Sequence, residues 1–261
     1  GDVAMIGISA LSYDLEQKIS LFHDYRDIEF IEYGIDEATD IEALNHHLSK
    51  KENKDIKISI HLPLKTNLVE DIGFLRDANF NYVSNIIREV SYLKPLYFNT
   101  HLGNVFYSKY TSNYKNYIQK ANEFIQRLLV EYPNINIYTE NVYSFLNQAS
   151  SDLCAVGTKP IEFMDLFEIA NNKSLGFCFD LGHALIQDED FSNVIKNYNS
   201  MFHFNLNDKT SDQHLGLSKT GKYTKKFFYE LIDKYGFSYI VLELDSSKAK
   251  ETIEILELNK L

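Results

Sequence analysis

Five short apolar runs in this chain end on a histidine or a carboxylate: His61, His101, Glu140, Asp180 and Glu243. Three more residues of the same types, His183, Asp212 and His214, follow close behind such runs. Imidazole and carboxylate together suit Zn²⁺, Mn²⁺, Fe²⁺ or Co²⁺ better than Ca²⁺. Charge points the same way. Two unit charges about 4 Å apart repel by roughly 4 kcal/mol at an effective dielectric of 20. Glu140, Asp180, Asp212 and Glu243, if folding gathers them, therefore need cations between them. A single histidine is usually a hydrogen-bonded residue of the core or surface, and His23, His46 and His47, on predicted helices, are read that way. The ring as a set reads as a metal site.

The elements that must position this ring form a repeated couplet of a β-rich run and a stretch of helical period. The predicted strands are Val3–Ser9, Ile28–Tyr33, Ile56–His61, Leu96–His101, Ile135–Glu140, Leu175–Asp180, Met201–Leu206 and Ser238–Glu243. Helices are predicted near Leu15–Tyr25, Ile41–Lys51, Asn79–Leu93, Tyr114–Tyr132, Ile161–Asn171, Phe191–Tyr198, Lys222–Tyr235 and Ala249–Leu258. Eight alternating pairs predict an α/β chain, folded as a single (β/α)8 TIM-barrel domain over residues 1–261. An open doubly wound sheet is the runner-up, but Gly7-Ile-Ser-Ala-Leu11 lacks the glycine-rich phosphate turn. Barrel chemistry collects at the C-terminal strand ends. Alternation puts Ser59 with His61, Asn99 with His101 and Cys178 with Asp180 on the inner faces. The opposite faces (Ile58 and Ile60, Leu96 and Phe98, Phe177 and Phe179, Ile240 and Leu242) should pack under the helices. Glu32 falls just inside the second strand end.

Composition narrows the classes. The chain has 261 residues, 44% of them apolar, and carries 26 basic against 37 acidic side chains for a net charge of −11. No basic run would track a phosphate backbone, which disfavours a nucleic-acid partner without excluding a specific enzyme on DNA. No apolar run reaches the ~18 residues of a membrane span. No signal peptide is visible, and two cysteines suit a reducing compartment, so a cytoplasmic setting is expected. Nothing fixes an oligomeric state.

Short motifs extend through most of the chain, each at its expected strand end. They are His61-Leu-Pro-Leu-Lys-Thr-Asn67-Leu68, Thr100-His101-Leu-Gly103, Thr139-Glu140-Asn141 and Phe179-Asp180-Leu-Gly-His183. They continue with Asn205-Leu-Asn-Asp208, Asp212-Gln-His214-Leu-Gly216 and Glu243-Leu-Asp245. In this set the chain resembles the xylose isomerase-like TIM-barrel superfamily, which includes sugar and sugar-phosphate isomerases and epimerases together with the endonuclease IV branch. The resemblance implies a central divalent ion held by Glu140, Asp180, Glu243 and one residue of the seventh strand. In the trinuclear branch, His61 and His101 would share Glu140 with a second ion, and His183, Asp212 and His214 would hold a third. The family's seventh-strand histidine falls here on Asn205, so its amide oxygen or a water is expected to complete the central site. That oxygen-rich shell should favour Mn²⁺ or Mg²⁺ over Zn²⁺. His203, two residues earlier on the same face, is expected close by and is the alternative ligand.

The favoured reading is a divalent-metal-dependent isomerase or epimerase of a small sugar or keto-polyol. Glu140 and Glu243 would move a proton through an enediolate, and His183 and His101 would hydrogen-bond substrate oxygens. Candidate substrate contacts are His61, His101, Glu32, His203 and Asn141, with Glu32 equally well a plain strand-end carboxylate. The alternatives are an endonuclease IV-like phosphodiesterase with up to three zinc ions, or a non-catalytic binding barrel. The loop Gly34–Asp40 is acidic and Ala10–Asp14 carries no basic residue, which is poor equipment for a DNA duplex. Lys65, Lys109, Lys209 and Lys219 are the rim cations available for one phosphate. Tyr33, Phe106, Tyr107 and Tyr143 could stack on a sugar, although packing under loops is the better expectation for each.

Overall fold

A computed structural model of the chain describes residues 4–144 and 152–261, so Val3, the expected start of the first strand, lies outside them. In chain order the elements are β1 (Met5–Ala10), α1 (Leu15–Asp24), β2 (Ile28–Gly34), α2 (Ala38–Leu48), β3 (Lys57–His61), α3 (Gly73–Val90), β4 (Phe98–Thr100) and β5 (Asn104–Phe106). There follow α4 (Tyr107–Glu131), β6 (Ile137–Glu140), β7 (Leu153–Ala155), α5 (Pro160–Ala170), β8 (Leu175–Asp180), α6 (Leu181–Gln187) and α7 (Ser192–Asn197). The chain closes with β9 (Ser200–Phe204), α8 (Lys225–Lys234), β10 (Tyr239–Leu242) and α9 (Ser246–Ile255).

Strands β1, β2, β3, β4, β6, β8, β9 and β10 close in that order into a barrel, each parallel to its neighbours. This is the expected (β/α)8 barrel. Three features were not expected. Strands β5 and β7 pair antiparallel outside the barrel, and at three residues each they are too short to show alternation. Helix α6 starts directly after Asp180, whose carboxylate caps it by accepting from the His183 backbone N–H. Helices α3 and α4 also begin earlier than their periodicity indicates, and α4 bends at Asn113 (φ −131°).

Apolar side chains divide into two clusters. The larger lies between barrel and helices and contains Ile58, Ile60, Phe98, Phe177, Phe179, Ile240 and Leu242, as alternation requires. The smaller fills the barrel interior with Phe30, Tyr97, Tyr138, Cys178, Met201 and Val241. Leu96 packs against this inner cluster instead of under the helices, because it precedes β4 and is not part of its regular pleat. The Tyr97 ring lies 5.2 Å from Tyr138 and 5.0 Å from Tyr239. Two glycines make room for this plug: a Cβ would come within 2.6 Å of the Phe30 ring at Gly7 and of the Tyr138 ring at Gly176. The interior is thus closed by aromatics below, leaving polar groups at the C-terminal strand ends. Among the described residues no helix is long and apolar enough to cross a membrane.

Candidate metal centre

The C-terminal strand ends deliver their acids to one place. Glu140 and Asp180 are the last residues of β6 and β8, and Glu243 directly follows β10. With His203 of β9 they form a group whose potential ligand atoms all lie within 4.8 Å of one another. His203 Nδ1 is 2.5 Å from Glu243 Oε2, 3.1 Å from Glu140 Oε1 and 3.9 Å from Asp180 Oδ2. Asn205 takes a different place from the one expected. It is fully buried, and its Nδ2 lies 3.2 Å from both Asp180 oxygens. The chain leaves β9 after Phe204, and Asn205 is then wedged against Gly182, where a Cβ would stand 1.8 Å from its Oδ1. The ring of His203 therefore faces the three carboxylates, while Asn205 braces Asp180.

Three buried polar atoms here make no hydrogen bond: His203 Nδ1, Glu243 Oε2 and Asn205 Oδ1. The first two meet each other as an ion contact at 2.5 Å. Unsatisfied buried polar groups are costly, and these belong to residues grouped around three acids. The donor set fits a divalent cation held by Glu140, Asp180, Glu243 and His203, with the Asn205 amide oxygen adjacent.

A second layer of histidines stands above this floor. His101 Nε2 is 2.8 Å from Glu140 Oε2, and His61 Nε2 is 3.6 Å from Glu140 Oε1, so these three form a further potential ligand group. Glu140 also accepts from Asn99 Nδ2 at 2.8 Å. Asp212 Oδ2 lies 3.3 Å from His183 Nε2 and 3.0 Å from His214 Nε2. Main-chain carbonyls fix two of the rings: His61 Nδ1 donates to Leu62 O and His183 Nδ1 to Asn141 O, both at 2.8 Å. Their Nε2 atoms are thereby turned towards carboxylates, as in metal-binding histidines.

Electrostatics follow from the crowding. Burial pushes Asp180 up to about 8, with Glu243 and Glu140 adding to it against the pull of His183. Glu140 is buried too, but His101 and His203 hold it well below the usual carboxylate range. Glu243 is held at about 2 by His203 despite its burial. Burial disfavours charge on His61 and His214, yet Glu140 lifts the first to about 9 and Asp212 and Glu243 lift the second to about 9.

The floor opens into a cavity of about 440 Å³, lined by His61, His101, Glu140, His183, Asp212 and His214 among others. This lies in the ordinary size range of small-molecule sites. None of Lys65, Lys109, Lys209 and Lys219 lines it; Lys109 faces Asp71 and Lys209 faces Asp188 instead. The wall also carries Asp14, Asp36 and Asp245 together with two lysines, Lys18 facing Asp14 and Lys248 facing Asp245. Of the expected rim aromatics, Tyr33 is buried and donates to Asp40 O, whereas Phe106 and Tyr107 are exposed. The Tyr143 ring lies 5.3 Å from His183. Asn141 is fully buried and does not line the cavity, and its amide bonds the Asp180 backbone at 2.7 and 3.0 Å. His203 and Glu32 are buried and contact each other, and Glu32 also lines the cavity. His23 and the pair His46 and His47 sit on α1 and α2, away from the cavity.

Lys18 escaped notice in the sequence. It is buried on α1, and its ammonium donates to Ser9 O and to Leu244 O while facing Asp14. The signal was a lysine inside the apolar stripe Leu15, Ile19, Phe22 of α1.

The sequence matches the profile of the xylose isomerase-like TIM barrel over residues 22–258. No curated protein matches the chain. Among solved structures it is similar to a D-tagatose 3-epimerase-like protein (19% identity, TM-score 0.74, 97% of each chain covered). It is also similar to the 3-keto-D-glucoside 4-epimerase YcjR of E. coli (10%, TM-score 0.67, 98% of each chain). A third is a Thermus thermophilus protein, TTHB071, soaked with ZnCl2 (15%, TM-score 0.66, 97% of each chain). At these identities the likeness is one of fold.

Proposed function

The chain belongs to the xylose isomerase-like TIM-barrel family, and from that premise we propose that it is a divalent-metal-dependent isomerase or epimerase of a small sugar or keto-polyol. The observation that carries this reading is the convergence of Glu140, Asp180, His203 and Glu243 on one point, with Glu140 and Glu243 lining the cavity. These four would hold the ion, with Asn205 beside them. When bound, a divalent cation supplies Lewis-acid polarisation of a carbonyl and its neighbouring hydroxyl.

The chain's own groups then divide the work. Glu140 and Glu243 reach the cavity from separate strands, so one can take the proton next to the carbonyl while the other returns one. Both are held low and are weak bases, so stabilisation of the developing enediolate carries most of the rate gain. His61 and His214, held above neutrality by the acids beside them, can donate to substrate oxygens, as can His183, whereas His101, pushed down by burial, keeps its Nε2 on Glu140. Acids outnumber the two lysines of the cavity wall, and both lysines face acids of their own, Lys18 Asp14 and Lys248 Asp245, which supports a neutral substrate over a phosphorylated one.

The test is deuterium wash-in at the carbon beside the carbonyl, followed by NMR over a panel of ketoses in D2O. About one bound ion per chain, exchange with at least one ketose, and its loss in Glu140→Gln and Glu243→Gln are expected. Absence of both metal and exchange would end this reading. The groups His61–His101–Glu140 and His183–Asp212–His214 favour one alternative, a phosphodiesterase with up to three ions. Three ions per chain with hydrolysis of bis(p-nitrophenyl) phosphate would select it.

A further inference from the structure

His203 has a second carboxylate behind it. While Nδ1 faces the three acids of the floor, Nε2 lies 2.9 Å from Glu32 Oε2 on β2. The same oxygen accepts from the Tyr97 hydroxyl. His203 and Tyr97 are completely buried, and Glu32 is 2% exposed. The Tyr97 ring is fixed in turn by the plug, edge-on to Phe30 at 6.1 Å and to Tyr138 at 5.2 Å. The Glu32 carboxylate is thereby held from below and aimed at one nitrogen of His203.

The protons follow from which groups can donate. An ionised carboxylate only accepts, so both Tyr97 O–H and His203 Nε2–H must donate to Glu32. A neutral imidazole carries one N–H. With that proton on Nε2, Nδ1 faces Glu140, Asp180 and Glu243, and a divalent ion bound there takes the place of the proton that Nδ1 would otherwise hold between them. Asn205 cannot supply this nitrogen, because an amide nitrogen only donates and here lies against Asp180. We propose that Glu32, anchored by Tyr97, is a positioning residue that locks His203 with Nε2–H towards itself and Nδ1 towards the divalent ion. This rests on the metal-dependent reading above and gives Glu32, which also lines the cavity, the task of orienting His203.

The test uses the full-length protein, stripped of metal and titrated with zinc against a chromophoric chelator. Loss of a carboxylate that orients a ligating histidine typically costs about 10–100-fold in metal affinity, and that loss is expected for Glu32→Gln. Tyr97→Phe, which keeps the ring packing, should weaken zinc in the same direction by less. In a His203→Gln background the Glu32→Gln loss should disappear, which a general destabilisation would not do. In ¹⁵N-histidine spectra of the zinc-loaded wild type, His203 should show its N–H on Nε2. Zinc affinity unchanged in Glu32→Gln, an equal loss in both backgrounds, or an N–H on Nδ1 overturns the assignment while leaving the metal site intact. If Glu32→Gln does not fold, unchanged affinity in Tyr97→Phe overturns it equally. A wild type that binds no zinc defeats the functional reading, and this proposal with it.

Discussion

Lys18→Met removes a cation from the seam of the barrel while keeping most of the stem that fills the space. The ammonium joins Ser9 O at the end of β1 to Leu244 O, one residue past Glu243, and stands 3.3 Å from Asp14 Oδ2. Burial lowers the lysine's pKa against the opposing pull of Asp14. Removing one partner of a buried ion pair costs about 3–5 kcal/mol, because the other charge remains. Asp14 keeps one hydrogen bond, from the Leu11 N–H at 2.8 Å, so the lower end, about 3 kcal/mol, is expected. At roughly 2.1 cal/mol/K of unfolding entropy per residue, that corresponds to a Tm lower by about 5 °C. Urea unfolding followed by circular dichroism should show the midpoint falling with the slope unchanged. In the double variant Asp14→Asn/Lys18→Met the two losses should overlap by at least about 1 kcal/mol. A loss below about 1 kcal/mol for Lys18→Met would show that the buried ammonium is not holding the seam, and the reasoning would fail.

Stripping divalent metal with a chelator should lower the Tm. An ion present at about 1,000 times its Kd contributes roughly 4 kcal/mol, and an unchanged melt would refute the fit of the floor cluster. The metal-free protein should lose stability as pH rises from 6.5 to 9. His61 is lifted from 6.5 to about 9 and Asp180 from 3.8 to about 8, so the folded state binds the extra protons and their contribution fades with deprotonation. Metal affinity should rise over the same window, because the ligand Asp180 must give up its proton when the ion enters; urea melts and zinc titrations at the two pH values check both signs. Glu162→Gln should cost about 2 kcal/mol without altering zinc affinity, since its carboxylate accepts from the N–H groups of Gly157, Thr158 and Lys159 and from Tyr110, away from the cavity.

Local chemistry determined much of this protein. Alternating apolar residues closed by His61, His101, Glu140 and Asp180 fix both the strand and the direction of its last side chain, because successive residues on a strand point to opposite faces. Eight such couplets leave a parallel barrel as the natural closure, and the barrel gathers those ends. The sequence alone therefore determined the fold class and most of the acid and histidine ring. Short elements were beyond its reach: β5 and β7 exist by pairing with each other, and α6 by capping on Asp180. The tertiary structure also decided which seventh-strand residue meets the acids. His203 and Asn205 share an inward face, and nothing within β9 ranks one above the other. Their order depends on where the strand ends, on Gly182 closing against Asn205, and on Glu32 reaching His203 from β2 across the barrel. Lys18 was hidden for the same reason, since a lysine in an apolar stripe becomes a seam cation only once β1 and β10 bring two carbonyls and Asp14 to it. Which face a side chain leaves is a property of a few neighbouring residues; what it meets there is set by strands far away in the chain.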